Sequence, residues 1–278
     1  MDVRNRVRTA LLTPISRYTG AYAYTTRLNV ALARGALTAT TRRVDPLHPL
    51  SWEFAAFSQN GEDGIIDHLL SLIASPSRYF LEIGASDGLE NNSAYLAFAK
   101  RYAGVMVEGD KFLSDCARTL LGPLNTAVGY LNLFVENDNV DVVLNSCHDL
   151  APDLLSLDID GNDYHVALAC LSAGLRPLVI CVEYNSAFGP TRALSIPYTS
   201  GFDNTSAHPS PSISPMPNPL GVAAVSSQIP AVATATPIQS IPLGGRRRIT
   251  VVRIGTKRMV KLVRNAEIDS VLRSSPIC

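Results

Sequence analysis

Short apolar runs alternate with helical patterns through the middle of this 278-residue chain, and that alternation constrains the fold more than any other feature. Five runs have the length of single strands and are apolar almost throughout. They are residues 79–83, 104–108, 131–135, 154–158 and 178–183. Such strands are typical of a parallel sheet that helices cover on both faces. The sequence therefore predicts an α/β, Rossmann-like fold with a mostly parallel sheet over residues 51–206.

Helical patterns fall between these predicted strands. An apolar stripe at helical spacing follows Asn60, which can cap the helix, and Pro76 ends it. Its members are Ile65, Ile66, Leu69, Leu70, Leu72 and Ile73. Residues 93–101 and 164–173 fit two further helices, the second of which Gly174 ends. The predicted strands are thus joined by helices, as parallel pairing requires.

The N-terminal segment, residues 1–50, is basic. It holds eight arginines against only two acidic residues, Asp2 and Asp45. We interpret it as a basic arm or helix that lies on the domain or on an anionic surface. An organelle transit peptide is the alternative, since such peptides are also rich in arginine and poor in acid. Without targeting of that kind, a cytoplasmic protein is expected.

The C-terminal quarter of the chain has a different composition. From Pro209 to Gly245 no side chain is charged and prolines recur, which predicts a linker or disorder over residues 207–245. Residues 246–278 are basic. Within them, residues 249–254 and 259–263 could pair as a hairpin about Gly255 and Thr256.

The overall composition excludes several classes of protein. Basic and acidic residues balance at 24 each, so no global field favours a nucleic-acid partner. No apolar run is long enough to span a bilayer. The five cysteines are scattered, which indicates free thiols in a reducing compartment. A metal site built from Cys147, His148 and Cys170 is not favoured, because no second paired-ligand motif accompanies it.

The strongest motif follows the first predicted strand and is Glu82-Ile83-Gly84-Ala85-Ser86-Asp87-Gly88. Glycines allow a tight turn and let a ligand approach the backbone closely. A dinucleotide fingerprint would have glycine where Glu82 stands. An acid there suits a ligand with a cationic amino-acid part, which S-adenosylmethionine has and NAD lacks. An ordinary strand–helix turn with a surface acid is the alternative.

A second acid strengthens this interpretation. Glu108 ends the next predicted strand, twenty residues after Gly88. Nucleotide-binding folds place at this point the acid that accepts hydrogen bonds from ribose hydroxyls. We therefore expect Glu108 to contact the ribose of the cofactor, although a solvated strand-end acid would look the same in the sequence.

Three carboxylates cluster after the fourth predicted strand, at Asp158, Asp160 and Asp163. Because clustered carboxylates repel, at least one should bind a cation, accept from a donor or hold a proton. The spacing does not fit a complete calcium loop. We expect functional roles for Asp158 and Asp160, whereas Asp163 fits a role in the site and a turn-forming role equally well.

The fifth predicted strand ends in Glu183, followed by Tyr184 and Asn185. The carboxyl ends of parallel strands share one edge of the sheet, so Glu183 should face the same cleft as Asp158. Either carboxylate could act as a general base toward an acceptor hydroxyl, or the pair could hold a divalent ion. Strand-end polarity without chemistry is the alternative.

Five motifs follow one another in a fixed order along residues 55–206. They are Ser58-Gln59-Asn60-Gly61-Glu62-Asp63-Gly64, Phe80-Leu81-Glu82-Ile83-Gly84-Ala85-Ser86-Asp87-Gly88 with Glu90-Asn91-Asn92-Ser93, Val107-Glu108-Gly109-Asp110, Leu157-Asp158-Ile159-Asp160-Gly161-Asn162-Asp163-Tyr164, and Val182-Glu183-Tyr184-Asn185. Together they resemble FkbM-type methyltransferases and their uncharacterised bacterial relatives. The resemblance implies a class I methyltransferase fold. It also implies methyl transfer from S-adenosylmethionine, often to a hydroxyl of a sugar or a secondary metabolite.

The expected function is therefore an S-adenosylmethionine-dependent O-methyltransferase that acts on a small-molecule or glycan acceptor. The residues expected to bind the cofactor are Glu82, Gly84, Ser86, Gly88 and Glu108. The catalytic candidates are Asp158, Asp160 and Glu183. No metal ligand is assigned, although a divalent ion is compatible with these carboxylates.

The alternative is a nucleotide-binding protein without activity. FkbM-type relatives usually end in a helix and an aromatic-containing strand pair, whereas this chain has no aromatic residue after Phe202. Charge also vanishes near residue 208. We hypothesise that a shifted reading frame or a misplaced splice junction lies there, so that the closing strands are missing or replaced.

Overall fold

The computed structural model of this chain describes residues 3–46, 48–183, 194–202, 214–215, 251–254 and 258–262. The chain begins with a long helix, α1 (Val3–Thr41), followed by α2 (Glu62–Ser71). A π-helical turn, Tyr95–Ala99, precedes α3 (Lys111–Leu121), α4 (Val140–Ser146) and α5 (Asp163–Ser172). None of the helices in this described part of the chain has the length and apolarity needed to cross a membrane.

Seven of the described strands form one sheet. In chain order the strands are β1 (Tyr79–Ile83), β2 (Ala103–Glu108), β3 (Val128–Asn132), β4 (Leu154–Leu157), β5 (Val179–Glu183), β6 (Leu194–Ser195), β7 (Ser214–Pro215), β8 (Val251–Ile254) and β9 (Arg258–Leu262). The order across the large sheet is β3-β2-β1-β4-β5-β9-β8, while β6 and β7 pair separately. Strands β1 to β5 are parallel, and β9 runs antiparallel to both β5 and β8.

Helices cover both faces of the sheet. On one face, α4 and α5 pack through Val143 and Val166 against strand residues such as Leu81. On the other face, α2 and the π-helical turn pack around Phe80 and Met106. These strands are buried on both sides, which explains why they are apolar along their whole length. The α/β, Rossmann-like fold with a mostly parallel sheet that the sequence predicts is confirmed.

A third apolar cluster attaches α1 to the rest of the molecule. Leu28 and Ala31 of α1 are buried against Phe54, Phe57 and Tyr95. At the C-terminal end of the helix, Arg42 pairs with Asp67 and donates to the carbonyl oxygens of Trp52 and Gly64. The basic N-terminal segment is therefore helical, and its second half packs on the domain.

Three local predictions need correction. Strand β3 begins at Val128, three residues before the predicted start. Just before it, the Asn125 side chain donates to the carbonyl oxygens of Ala97 and Tyr102 and so fixes the position of the chain. The helix predicted at residues 93–101 is only a π-helical turn. Helix α2 is capped by Gly61 and not by Asn60, whose backbone N–H instead donates to Glu62.

Candidate functional site

A cleft of about 640 Å³ lies at the carboxyl ends of β1, β2 and β4. Ligands of open α/β sheets bind at this edge. The residues that line it come from the ends of these strands and the loops after them, from α1, the segment before α2 and the first turn of α3, and from residues 133–135 and 202. They are Arg27, Gln59, Ile83, Gly84, Ser86, Asp87, Glu90, Val107, Glu108, Gly109, Asp110, Leu113, Leu133, Phe134, Val135, Asp158, Ile159, Asp160, Asn162 and Phe202.

The turn after β1 forms the floor of the cleft. Gly84 adopts a φ of 85°, and its N–H and that of Ala85 both donate to the Val107 carbonyl. A Cβ atom on Gly84 would lie 1.8 Å from the carbonyl oxygen of Asp158. Only glycine fits this position, so β1, β2 and β4 are drawn together by a turn without a side chain.

Glu108 connects the two loops that border the cleft. Its Oε2 accepts from the Ser86 N–H at 2.7 Å, and its Oε1 accepts from the Asp110 N–H at 2.8 Å. Asp110 in turn caps α3 by accepting from the N–H groups of Phe112 and Leu113. The strand-end acid singled out in the sequence therefore lines the cleft and holds the glycine turn beside the start of α3.

An apolar wall follows β3. Asn132 donates through Nδ2 to the carbonyls of Glu108 and Gly109, which ends the strand. Leu133, Phe134 and Val135 then line the cleft instead of continuing the sheet. The apolar run that predicts a strand at residues 131–135 is thus mainly one side of the pocket.

The loop after β4 carries the three clustered aspartates. Asp158 and Asp160 line the cleft, and Asp160 has a left-handed φ of 57°. Asp163 is buried, and its two oxygens accept from the N–H groups of Ile159 and Gly161 at 2.9 and 2.8 Å. Burial, with a further contribution from the Asp158 charge, raises the pKa of Asp163 to about 6. Asp163 shapes the loop that presents the other two carboxylates.

Residues 196–202 cover this loop. Asn162 donates to the Thr199 carbonyl at 2.8 Å, and His165 Nε2 lies 2.9 Å from the Ile196 carbonyl. Glu136 accepts from Ser200 Oγ and the Gly201 N–H, which lowers the pKa of Glu136. These contacts hold Phe202, the last aromatic residue of the chain, against the cleft.

Glu82 and Gly88, the other two residues of the glycine motif with an expected role, are not among the described residues that line the cleft. Glu82 is 1% exposed, and its Oε1 accepts from Ser156 Oγ at 3.0 Å. Asn92 donates to the same hydroxyl and to Cys181 Sγ, so a buried polar network lies beneath the turn. Gly88, with a φ of 77°, lies against Leu121 of α3.

Glu183 is the last residue of β5, which runs parallel to β4. Its backbone pairs with Arg258 of β9. The side chain of Glu183 and residues 184 and 185 lie outside the described part of the chain. The backbone thus brings Glu183 to the same edge of the sheet as Asp158, as parallel pairing requires.

Arg27 is a residue of the cleft that the sequence analysis does not identify. It lies on α1, and its guanidinium pairs with Asp87 at 2.5 Å and with Glu90 at 3.6 Å. Asp87 also accepts from the N–H groups of Leu89 and Glu90. The long helix is therefore tied directly to the glycine turn. Nothing in the sequence connects Arg27 with a motif sixty residues away.

The lining of the cleft is strongly acidic. Six carboxylates face it, and Arg27 is the one basic side chain among the described residues of the lining. The carboxylates are Asp87, Glu90, Glu108, Asp110, Asp158 and Asp160. In the part of the chain that the structure describes, no group of three His, Cys, Asp or Glu side chains is arranged to hold a metal ion. The described cysteines are free thiols. The cleft is thus suited electrostatically to a cationic ligand.

No family model matches this sequence, and a comparison with curated proteins finds no match. The chain is similar, at low scores, to several solved methyltransferases. An O-methyltransferase from Bacillus cereus in complex with SAH is 17% identical, with a TM-score of 0.40 over 86% of this chain and 91% of that one.

Two further solved structures belong to the same set. The METTL16 methyltransferase domain is 10% identical with a TM-score of 0.40, over 72% of this chain and 65% of that one. For precorrin-6y C5,15-methyltransferase from Geobacter metallireducens GS-15 the identity is 10% and the TM-score 0.37, over 72% and 87%. At such identities and TM-scores, function has to be inferred from the residues of the site.

Proposed function

We propose that this protein is an S-adenosylmethionine-dependent methyltransferase. The observation that carries the proposal is the composition of the cleft: a glycine turn, a carboxylate at the end of β2 and an apolar wall after β3 surround one cavity. These are the parts that an amino-acid chain, a ribose and an adenine ring each require. The cavity volume of about 640 Å³ lies within the range of small-molecule sites.

The residues present fit this cofactor. S-adenosylmethionine carries an ammonium and a sulfonium, and six carboxylates line the cleft. Each oxygen of Glu108 accepts one backbone N–H and has a further lone pair for a ribose hydroxyl. Leu113, Phe134 and Val135 offer an apolar surface to the adenine. Gly84 and Ser86 border the amino-acid end, whereas Glu82 and Gly88 act by shaping the turn.

The bound cofactor supplies a methyl group that is already activated by its sulfonium, so the protein mainly aligns it with an acceptor oxygen. Asp158 orients the acceptor hydroxyl and takes its proton as the new carbon–oxygen bond forms. Asp160 and Glu183 are the other candidates for this role.

The acceptor class that we favour is a hydroxyl of a sugar or of a secondary metabolite. The support is the resemblance of the sequence motifs to those of FkbM-type methyltransferases, since several residues of these motifs line the cleft, including Gly84, Glu108 and Asp158. A carboxylate base suits an oxygen acceptor, because a hydroxyl must lose its proton during the transfer.

The inactive, truncated protein considered from the sequence is less well supported. That alternative depends on an uncovered edge of the sheet after β5. Strand β9 pairs with β5 along five residues, and β8 pairs with β9. The described residues thus include an antiparallel pair that closes the sheet beyond β5.

The proposal is tested by the binding of S-adenosylhomocysteine, measured by thermal shift and by calorimetry. A ligand that binds only the native state at a hundred times its Kd stabilises it by about 2.7 kcal/mol. Glu108→Ala should weaken binding by roughly 1.5–3 kcal/mol, because a charged hydrogen-bond acceptor is lost.

Asp138→Ala is the matched control, since Asp138 is an exposed acid outside the cleft. The affinity of Asp138→Ala for S-adenosylhomocysteine should equal that of the wild type. The melting temperatures of both variants are recorded without ligand, because Glu108 also holds the backbone of Ser86 and Asp110. If the wild-type protein gains no stability from S-adenosylhomocysteine, the proposed function is wrong.

A second substitution separates cofactor binding from catalysis. Asp158→Asn should leave the affinity for S-adenosylhomocysteine within about threefold of the wild type, because the proposed partner of Asp158 is the acceptor hydroxyl. A loss as large as that of Glu108→Ala would show that Asp158 binds the cofactor and is not the base.

A further inference from the structure

A second depression adjoins the cleft. It has a volume of about 380 Å³ and lies between α1 and residues 56–59, with Leu89 and Glu90 at its base. We call it the α1 groove. Arg27, Gln59 and Glu90 line both the cleft and the α1 groove, so the two cavities meet at these residues. A ligand in the groove would therefore reach the edge of the cofactor cleft.

One face of α1 forms a wall of the groove. Arg27, Val30, Ala31 and Arg34 line it, and their spacing of three, four and seven residues places them on the same side of the helix. The helix lies close to the domain here, because a Cβ atom on Gly35 would be only 3.1 Å from the Tyr95 ring and 3.2 Å from Ala56 Cβ. This close packing fixes the positions of the two arginines.

The charges of the two cavities differ. The cleft is acidic, and Arg27 at the junction is already paired with Asp87 and Glu90. Arg34, at the other end of the face, is exposed and makes no ion pair or hydrogen bond with any residue in the described part of the chain. Since none of the described residues supplies an anion to this guanidinium, an anionic group of a ligand in the groove can pair with it.

The rest of the lining is mostly apolar. Val30 is 51% exposed, and Ala31, Phe57 and Leu89 contribute smaller apolar surfaces. Burying such surface against a ligand is favourable. Within the described part of the chain, the groove therefore combines an apolar surface with one arginine, Arg34, that has no ion-pair partner.

We propose that the α1 groove binds the methyl acceptor, and that the acceptor carries a phosphate or carboxylate group that Arg34 holds. Arginine is suited to this role because its planar fork can donate two parallel hydrogen bonds to either anion. The arrangement puts the anionic end of the acceptor away from the acidic cleft and its hydroxyl end toward it. As an acceptor site, the groove rests on the proposed function, whereas the anion site can be tested by itself.

The test uses the full chain without cofactor and three small probes of similar size. Phenyl phosphate and benzoate carry the anion, and benzyl alcohol is their neutral counterpart. Their affinities are measured by ligand-observed NMR titration. The wild-type protein should bind both anions more tightly than the alcohol. Arg34→Gln should lower the affinity for the anions by about tenfold or more, the loss expected for a charge-assisted hydrogen bond.

Two further variants test whether the effect is specific to the groove. Arg43→Gln is the matched control, since Arg43 is an exposed arginine on the same N-terminal segment and outside the groove. Its affinity for all three probes should equal that of the wild type. Val30→Glu, which adds a carboxylate to the lining, should weaken anion binding as Arg34→Gln does. None of these three variants should change the affinity for S-adenosylhomocysteine, because Arg43, Arg34 and Val30 are not among the cleft residues.

The outcomes separate the two proposals. Equal affinity of the wild-type protein for phenyl phosphate and benzyl alcohol, no measurable binding of either anion, or equal losses in Arg34→Gln and Arg43→Gln would each overturn the anion site. Binding of anions through Arg34 without any binding of S-adenosylhomocysteine would support the anion site and overturn its role as an acceptor site.

Discussion

Gly84 occupies a position that no other residue type can take without moving the backbone. Its positive φ disfavours any side chain, and its Cα faces the carbonyl oxygen of Asp158, in the loop that follows the neighbouring strand. The glycine therefore sets the distance between two loops that both line the cleft. A change at this residue alters the site as well as the stability.

Gly84→Ala should destabilise the protein and abolish the binding of S-adenosylhomocysteine. Gly174→Ala is the matched control, because Gly174 also has a positive φ of 108° but a Cβ atom there would meet nothing within 4 Å. In urea denaturation, the unfolding free energy of the control should fall by only about 1–2 kcal/mol, the cost of a left-handed backbone conformation for a residue with a Cβ atom. The unfolding free energy of Gly84→Ala should fall by at least about 2 kcal/mol more than that of the control, because its Cβ atom also clashes with the Asp158 carbonyl oxygen. Equal losses would contradict the proposed contact.

Asp163 should make stability depend on pH. Burial raises its pKa to about 6, above the value of about 3.9 in an unfolded chain. The native state thus binds this proton more tightly than the unfolded state. The resulting stabilisation is complete below about pH 4 and is lost as the pH rises through 6.

Urea denaturation between pH 4 and pH 7 measures this effect. The unfolding free energy of the wild type should fall across that range by on the order of 1–3 kcal/mol relative to Asp163→Asn, which has no ionisable group there. The two proteins are compared by the slope of unfolding free energy against pH. The substitution also removes one acceptor for a backbone N–H, which changes stability equally at every pH. Asp160→Asn, an exposed change in the same loop, should keep the wild-type slope. If the unfolding free energy of Asp163→Asn falls with pH as steeply as that of the wild type, Asp163 is not the source of the pH dependence.

The sequence predicts which residues lie together where they end parallel strands. Gly84, Ser86, Glu108, Asp158 and Asp160 all line one cleft, because parallel strands bring their carboxyl ends together. Arg27 and Phe202 reach the same cleft from remote elements and carry no local signal. Their positions depend on how α1 and residues 194–202 pack, which is decided by tertiary contacts.

At the level of elements, strands that are buried on both faces were the most predictable. Strands β1, β2, β4 and β5 begin and end within one residue of the apolar runs that predict them. Strand β3 lies at an edge of the sheet, and its apolar run continues into the wall of the cleft. Apolarity alone cannot distinguish a strand from a pocket wall, because both bury the same kind of surface.

The close approach of α1 to the domain should depend on Gly35. Gly35→Leu adds a large side chain where the Tyr95 ring and Ala56 lie 3.1–3.2 Å from a Cβ atom. Such overpacking costs roughly 1–3 kcal/mol and should displace the helix. The variant should therefore also lose the preference of the α1 groove for phenyl phosphate.

Ala36→Leu is the matched control, because Ala36 is the next residue of the same helix and is exposed. A surface substitution of this kind should change the unfolding free energy by less than about 0.5 kcal/mol. Similar stabilities and similar phenyl phosphate affinities for the two variants would show that α1 does not need the glycine contact.

On the scale of the whole molecule, the sheet is completed by residues far along the chain. Strand β9 pairs with β5 from Val179 to Glu183, although residues 184–257 separate the two strands in the sequence. A parallel sheet that ended at β5 would present an open edge, which favours aggregation. Because β9 pairs with β5 and β8 pairs with β9, β5 is not an edge strand, and the short strand β8 lies at this edge of the sheet.

This long-range pairing can be tested by cutting the chain between its two parts. A specific protease site inserted near residue 225 lies in the segment that the sequence predicts to be a linker. After cleavage, the fragment that carries β8 and β9 should co-elute with the rest of the molecule in size-exclusion chromatography, because five pairs of residues connect β9 to β5.

Val260→Pro should separate the fragments. Val260 lies in the middle of β9, opposite Cys181 on one side and Val252 on the other. A proline there removes a backbone donor and strains a strand that has partners on both sides. Val260→Ala, which keeps the N–H group, is the control and should leave the fragments together. Since β5 would then expose its edge, the larger fragment of Val260→Pro should also aggregate. If the fragments separate in every variant, including the wild type, then β9 does not hold β5 and the sheet ends where the first five strands end.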